Sequence, residues 1–254
     1  MGFRGLVVSV EKLCEEPFAS IVCYPKASEG EMLKRLKELE RLGVKALEFS
    51  GEKQVFNVPV LGKGCVGIVV LAYTESGKIA LKIRRVDADR AGMQREAEML
   101  NVANGVNVGP KLLGVSNNFL LMQFIDGDLL PKWMKKHKGK KRLKEVLRDV
   151  LEQCWRLDNA GLDHGELSHA PKHVLVNCEN NAFIVDFETA SLNRKPSNVT
   201  SIAQFLFISG VIAEQITRKL GAKNKNALIE ALKRYKLDRN RLNFERLLEV
   251  CSLF

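Results

Sequence analysis

The sequence predicts an α+β protein of two lobes, an antiparallel-sheet first lobe followed by a small, mostly helical second lobe. Three observations support this. From Val55 to Ile125, short runs rich in Val, Ile and Leu are broken by Gly, Asn and Ser turns, the pattern of strands joined as hairpins. From Leu143 to Leu157, the apolar residues Val146, Leu147, Val150, Leu151 and Cys154 recur at helical spacing. At 254 residues the chain can bury one or two real cores, which suits one bilobal domain. The expected divisions are an extension over 1–50 with one amphipathic helix, a first lobe over 51–125 and a second over 126–254.

Composition narrows the class further. With 46% hydrophobic and 28% charged residues, the chain reads as a soluble globular protein. Met1–Val10 holds no long apolar run, so no signal peptide is expected. The longest uncharged stretch, Pro196–Ala213, reaches 18 residues but carries Ser, Asn, Thr and Gln, so it reads as a buried helix rather than a membrane span. The cysteines at 14, 23, 65, 154, 178 and 251 show no C-x-x-C spacing, which disfavours a zinc site or a disulfide framework and points to the cytoplasm. The net charge of +10 is uneven. Residues 1–127 hold 17 basic and 15 acidic residues, and residues 128–254 hold 23 and 15. A basic surface favours an anionic partner such as ATP, RNA or a phosphorylated substrate, and serves equally as a solubilising coat.

In chain order, Ser28 with Glu31 forms a capping-box pattern and Gly43 a natural stop for the helix between them. Met32, Leu33, Leu36, Leu39 and Leu42 supply its apolar face, and no chemistry is read into it. Val58–Leu61 leads into Gly62-Lys63-Gly64-Cys65-Val66-Gly67. In a dinucleotide-binding unit this spacing would open a helix, but here Ile68-Val69-Val70-Leu71 follows at once, so the glycines cap a strand–loop–strand hairpin. There is no G-x-x-x-x-G-K-[ST], which disfavours a P-loop NTPase. Lys78–Ile83 is the next strand, with Lys82 on it, and Ala91–Ala103 is helical with Met93, Ala97 and Leu100 on one face. Lys132–Lys144 carries eight Lys or Arg in thirteen residues beside Trp133. That is a solvated loop entering a helix, or a contact for RNA or another anionic partner.

The stretch richest in chemistry is Leu162–Glu188. Val174–Val176 and Phe183–Val185 flank Asn177-Cys178-Glu179-Asn180-Asn181 as a small hairpin. Glu166 and His173 stand before it, Asp186 and Glu188 after it, so these groups should converge. Carboxylates converging beside an imidazole are equipped to hold a metal ion and steer a proton.

These residues resemble the catalytic and metal-binding loops of the protein-kinase-like superfamily, His-Arg-Asp-x-x-x-x-Asn followed by Asp-Phe-Gly. His164 and Gly165 match the His and the Arg, Glu166 the catalytic Asp, His173 the metal-binding Asn, and Asp186-Phe187-Glu188 the Asp-Phe-Gly. Glu166 and His173 are seven apart where the pattern has five, so two residues are inserted within Ser168–Lys172. The His-Gly-acid and Asp-Phe-Glu forms are more similar to RIO and archaeal atypical kinases, and to aminoglycoside and choline phosphotransferases, than to conventional protein kinases.

The resemblance covers roughly residues 55–210 and implies a bilobal kinase-like fold that binds ATP and Mg²⁺, with Mn²⁺ as a substitute. It implies that Gly62, Lys63, Gly64, Cys65, Val66 and Gly67 lie along the phosphates, with Lys82 neutralising them and Glu96 pairing with Lys82. Gln123 and Ile125 would offer backbone groups to the adenine edge, with Met122 behind. Asp186 and His173 would occupy the metal-ligand positions, and Glu166 would orient or deprotonate an acceptor hydroxyl on a protein or a small molecule. Three activities remain in play: an atypical serine/threonine protein kinase, a small-molecule kinase, and a pseudokinase that binds nucleotide as a scaffold. RNA binding without nucleotide is a fourth reading.

Overall fold

The computed structural model describes residues 5–89 and 91–254, so the first four residues of the Met1–Val10 stretch fall outside it. The chain divides into two compact units, Met1–Glu98 with Lys111–Phe124, and Met99–Pro110 with Ile125–Phe254.

The first unit is built on an antiparallel sheet. Its elements are β1 (Leu6–Ser9), α1 (Phe18–Val22), α2 (Glu29–Arg41), β2 (Ala46–Phe49), β3 (Lys53–Val55), β4 (Val58–Val60), β5 (Gly62–Lys63), β6 (Gly67–Thr74) and β7 (Gly77–Arg84). The opening turn of α3 (Gln94–Gly105) follows, and then β8 (Leu112–Val115) and β9 (Phe119–Gln123). The strand order is β1-β2-β6-β7-β9-β8, with β5 on β6. Alternation explains the pairing: Ile68, Val70 and Ala72 on β6 and Ile79, Leu81 and Ile83 on β7 are all buried, because side chains two apart on a strand share a face.

Of the stretch 1–50, expected as an extension, the described residues 5–50 are part of this sheet and its core. Ala46 pairs with Tyr73 and Leu6 with Phe49, and Met32 and Leu39 of α2 are buried with Val70 and Leu81. Helix α2 does start after Ser28, but the Ser28 side chain makes no cap bond. Glu31 instead accepts from Arg35 Nε at 2.8 Å, because Arg35 is fully buried and needs the carboxylate. The helix ends as expected. Gly43, at φ +70, sends its N–H to Glu40 O and Val44 sends its own to Leu39 O, the double bond of a glycine-terminated helix.

The second unit contains β10 (Gly127–Leu129), α4 (Leu130–Lys136), α5 (Lys140–Asn159), β11 (Val174–Asn177), β12 (Ala182–Ile184), α6 (Asn198–Ala203), α7 (Val211–Leu220), α8 (Lys225–Leu237) and α9 (Arg241–Val250). Helix α5 buries the face read from its periodicity, Val146, Leu147, Val150, Leu151 and Cys154, and packs against α6 and β12. The Pro196–Ala213 stretch, expected as one buried helix, is broken. Helix α6 and a wide π turn at Gln204–Ile208 bury Val199, Ile202, Phe205, Leu206 and Phe207, and the chain then bends at the exposed Ser209 and Gly210 into α7. Among the described residues no single helix is long and apolar enough to cross a membrane, although α6 with its π turn and α7 would pass by length as a pair bent by 69°.

Lys132–Lys144 is not a loop. It spans the end of α4 and the start of α5. Trp133, read as a surface aromatic, is 2% exposed and stacks on His137 at 4.6 Å, because Leu130, Trp133 and Met134 form the apolar face of α4. The lysines remain outside, with Lys132 and Lys136 both paired to Asp128.

Candidate functional site

In the first unit, the Gly62–Gly67 hairpin forms as read: Gly62 pairs with Val69 and Lys63 with Ile68, and Gly64 N–H closes onto Gly67 O at 2.8 Å. Arg85 ties the turn down, its backbone N–H donating to Val66 O and its guanidinium to Gly64 O. Lys63 Nζ lies over the Tyr24 ring, 4.7 Å from its centre, while Cys65 is exposed. Gly67 is required by close approach. A Cβ there would stand 2.9 Å from Ile83 O and 3.1 and 3.2 Å from Lys82 Cγ and Cε. The missing side chain makes room for the Lys82 stem.

Lys82 and Glu96 are 6% and 4% exposed, and Lys82 Nζ donates to Glu96 Oε1 at 2.8 Å and to Oε2 at 2.9 Å. Strand β7 and the first turn of α3 hold the two, with Met93 and Ala97 packed on Leu120 to seat the helix. Burying an ammonium is tolerable only with such a partner. Glu98 is exposed, so of the two glutamates Glu96 is the one that pairs. Gln123 ends β9, its N–H taken by Lys111 O at 2.8 Å.

In the second unit, Ile125 is 8% exposed, and the hairpin joins three of the four groups read from sequence. Val174 pairs with Ile184 and Val185 N–H bonds His173 O, which sets His173 beside Asp186. His173 Nε2 is 2.8 Å from Glu166 Oε2 and its Nδ1 is 3.8 Å from Asp186 Oδ2. Neither nitrogen is aligned for a hydrogen bond, although the ring is fully buried. Lys172, within the inserted segment, places Nζ 3.6 Å from the same Glu166 oxygen. Asp186 adopts φ +70, a left-handed conformation that costs about 1–3 kcal/mol and concentrates at functional sites. Glu188 is half-buried two residues on.

A buried polar frame holds this loop. Asn198 Oδ1 accepts the His164 N–H at 2.8 Å, and Asn198 Nδ2 donates to Leu162 O at 2.7 Å. Asp158 accepts from Asn198 N and Nδ2 and from the Tyr235 hydroxyl. Burial raises the Asp158 and Tyr235 pKa values. His164 Nε2 lies 3.1 Å from Val185 O, which can only accept, so that nitrogen carries the proton. Burial lowers the His164 pKa to about 4 and keeps the ring neutral.

Gly165, where the kinase pattern has Arg, has φ +90, and a Cβ there would stand 2.6 Å from the Arg194 guanidinium. Arg194 donates to Asp163 Oδ2 and Thr189 O. A cation from downstream thus fills the space above the glycine. Arg194, Asp158 and Asn198 were not singled out from the sequence. Asp158 and Asn198 are polar residues at buried positions, a signal that becomes visible only once the fold is known, whereas Arg194 is exposed and carries no such signal.

Among the described residues, no group of three or more His, Cys, Asp or Glu is arranged to hold a metal ion alone. The donor set still suits a hard cation shared with a phosphate, because the Asp186 carboxylate is about a third exposed and Mg²⁺ is commonly held by one or two carboxylates plus substrate oxygens.

The profile of the RIO domain family matches residues 72–202, just over half of the chain. An uncharacterized protein of Methanocaldococcus jannaschii is 32% identical over 117 residues, which are 45% of this chain and 98% of that protein. The matched segment runs from β6 to α6 and includes Lys82, Glu96, Glu166, His173 and Asp186.

Proposed function

The chain belongs to the RIO domain family of atypical protein-kinase-like proteins, and on that premise we propose that it is an ATP-dependent phosphotransferase, most simply a serine/threonine protein kinase. The observation that carries the reading is the buried Lys82–Glu96 pair. It holds an ammonium at low exposure on the strand after a glycine hairpin, where a phosphate-binding lysine belongs.

In this reading, the amides of Gly62–Gly67 approach the phosphates, and Lys82, aimed by Glu96, neutralises them. Gln123 and Ile125 offer backbone groups to the adenine. Asp186 holds Mg²⁺ or Mn²⁺, which when bound offsets phosphate charge. Glu166 accepts the proton of an acceptor hydroxyl, its carboxylate held near His173 and Lys172. The six unpaired cysteines fit a cytoplasmic protein, and the exposed lysines of α4 and α5 would receive RNA or another anionic partner.

Two alternatives have specific support. The His-Gly-acid form of the loop is shared with small-molecule kinases. His173 in place of a metal-binding Asn favours a nucleotide-binding scaffold, because Mg²⁺ prefers oxygen. Calorimetry separates nucleotide binding from its absence: ATP affinity should fall for Lys82→Ala and Asp186→Ala, and wild-type affinity in both variants overturns the assignment. Tight ATP binding without turnover, with every metal and acceptor tried, selects the scaffold.

A further inference from the structure

We infer that His173 is a positioning residue for Glu166 rather than a metal ligand, and that the site takes one divalent cation per nucleotide, on Asp186. The inference rests on the nucleotide reading above and adds the ion count and the role of the imidazole. Three observations lead to it. First, both ring nitrogens are flanked by carboxylates, Nε2 2.8 Å from Glu166 Oε2 and Nδ1 3.8 Å from Asp186 Oδ2. The imidazole thus sits closest to Glu166, although neither nitrogen is aligned for a hydrogen bond. Second, the ring is fully buried while the Glu166 and Asp186 side chains are 36% and 32% exposed. A hydrated cation arriving with phosphate meets the two exposed carboxylates, with the imidazole behind them. Third, the ring cannot easily turn outward. It packs edge-on to His164 at 5.2 Å, and His164 in turn lies against Phe187 at 5.1 Å. The backbone on both sides is tied by His173 N–H to Ala170 O and Val185 N–H to His173 O.

Chemistry agrees with the geometry. Mg²⁺ takes oxygen donors and gives up its water reluctantly, whereas imidazole suits softer metals. An amide oxygen at this position could complete a second ion's shell. A buried imidazole cannot do so without turning away from Glu166. Its two nitrogens are polar atoms in the interior with no aligned hydrogen bond, a state that native proteins rarely keep without a use. The use is a contact poised to align. A modest turn of the part-exposed Glu166 carboxylate brings Oε2 onto the Nε2–H, and contacts of this kind commonly tighten only when substrate is bound.

The test counts ions on the full chain. With a non-hydrolysable ATP analogue and Mn²⁺ as probe, loss of the free-Mn²⁺ paramagnetic resonance signal gives the number bound per nucleotide. One is expected for wild type. Two ions on wild type overturn this inference and leave the nucleotide reading standing. No nucleotide bound with any metal overturns both. His173→Asn, which offers an oxygen, should bind a second Mn²⁺ more weakly; a count still at one shows that His173 is not what excludes it. The positioning role is read separately and does not depend on one variant folding. His173→Gln keeps an N–H for Glu166 and should retain turnover within a few-fold, while His173→Ala should lower kcat by about tenfold or more with KM for ATP unchanged. Equal kcat in His173→Ala and wild type removes the positioning role.

Discussion

Glu166 is the residue at which an enzyme and a scaffold part. Its carboxylate lies 2.8 Å from His173 and 3.6 Å from Lys172, and it stands one methylene longer than the Asp of the kinase pattern. Glu166→Gln keeps the shape and loses the charge, so turnover should fall by about 10²-fold with ATP affinity nearly unchanged. Equal turnover would show that Glu166 is no base. Glu166→Asp is the sharper companion: if the two inserted residues have shifted the backbone, the shorter acid falls short and is worse than Glu. Gly67 supports a prediction of a different kind. Its Cβ would crowd Ile83 O and the Lys82 stem, so Gly67→Ala should destabilise the fold by about 1–3 kcal/mol and weaken ATP binding by displacing Lys82. An unchanged urea midpoint together with unchanged affinity would refute the crowding argument. The pairing of Lys82 with Glu96, 14 residues apart, was legible only through the resemblance to the kinase fold, since neither strand nor helix periodicity alone links the two.

At the scale of elements, the sequence disclosed periodicity but not long-range polar partners. Helix α2 was read as an ordinary amphipathic helix, yet Arg35 on it is fully buried. It donates to Val22 O, to Arg84 O and to Asn118 Oδ1, the last two 49 and 83 residues away. Glu38 completes the frame through the Asn118 side chain and backbone N–H. No local pattern reports such contacts, because two of the partners are backbone carbonyls that every residue has and the third is a side chain 83 residues away. Removing Arg35 leaves those acceptors buried, so Arg35→Ala should cost about 3–5 kcal/mol, read as a lower urea midpoint; a shift below 1 kcal/mol would make the frame incidental. The basic run of α4 and α5 was legible in charge but not in shape, since Trp133 proved to be core. Substituting the exposed Lys135, Lys138, Lys140 and Lys141 by Gln should flatten the salt dependence of any RNA binding and leave ATP affinity alone. A wild type that binds no RNA reduces these lysines to a solvated face.

For the molecule as a whole, acid should be destabilising through His164. Its pKa is near 6.5 when unfolded and about 4 when folded, so the unfolded chain binds more protons between those values. The stabilisation is complete above pH 6.5 and is lost as pH falls toward 4, reaching about 3 kcal/mol. Urea midpoints at pH 7 and pH 5 should therefore differ more in wild type than in His164→Phe, and an equal difference would exclude His164 as the source. The general architecture was legible from short β-rich runs broken by turns between Val55 and Ile125 and a helical spacing from Leu143 onward. What stayed hidden was that strands as short as Leu6–Ser9 and Ala46–Phe49 join the main sheet, since four residues carry too little alternation to identify a strand.

The pairing of β2 with β6 bears on where this protein can be cut. The family match begins at residue 72, near the end of β6. A recombinant fragment trimmed to that boundary would lose β1, β2, β5 and most of β6. The β7 edge that β6 covers from Gly67 to Thr74 would then be open along its ladder. Unpaired amides and carbonyls on a long apolar edge invite intermolecular strand addition, so the fragment should aggregate, as light scattering would show, where the full chain does not.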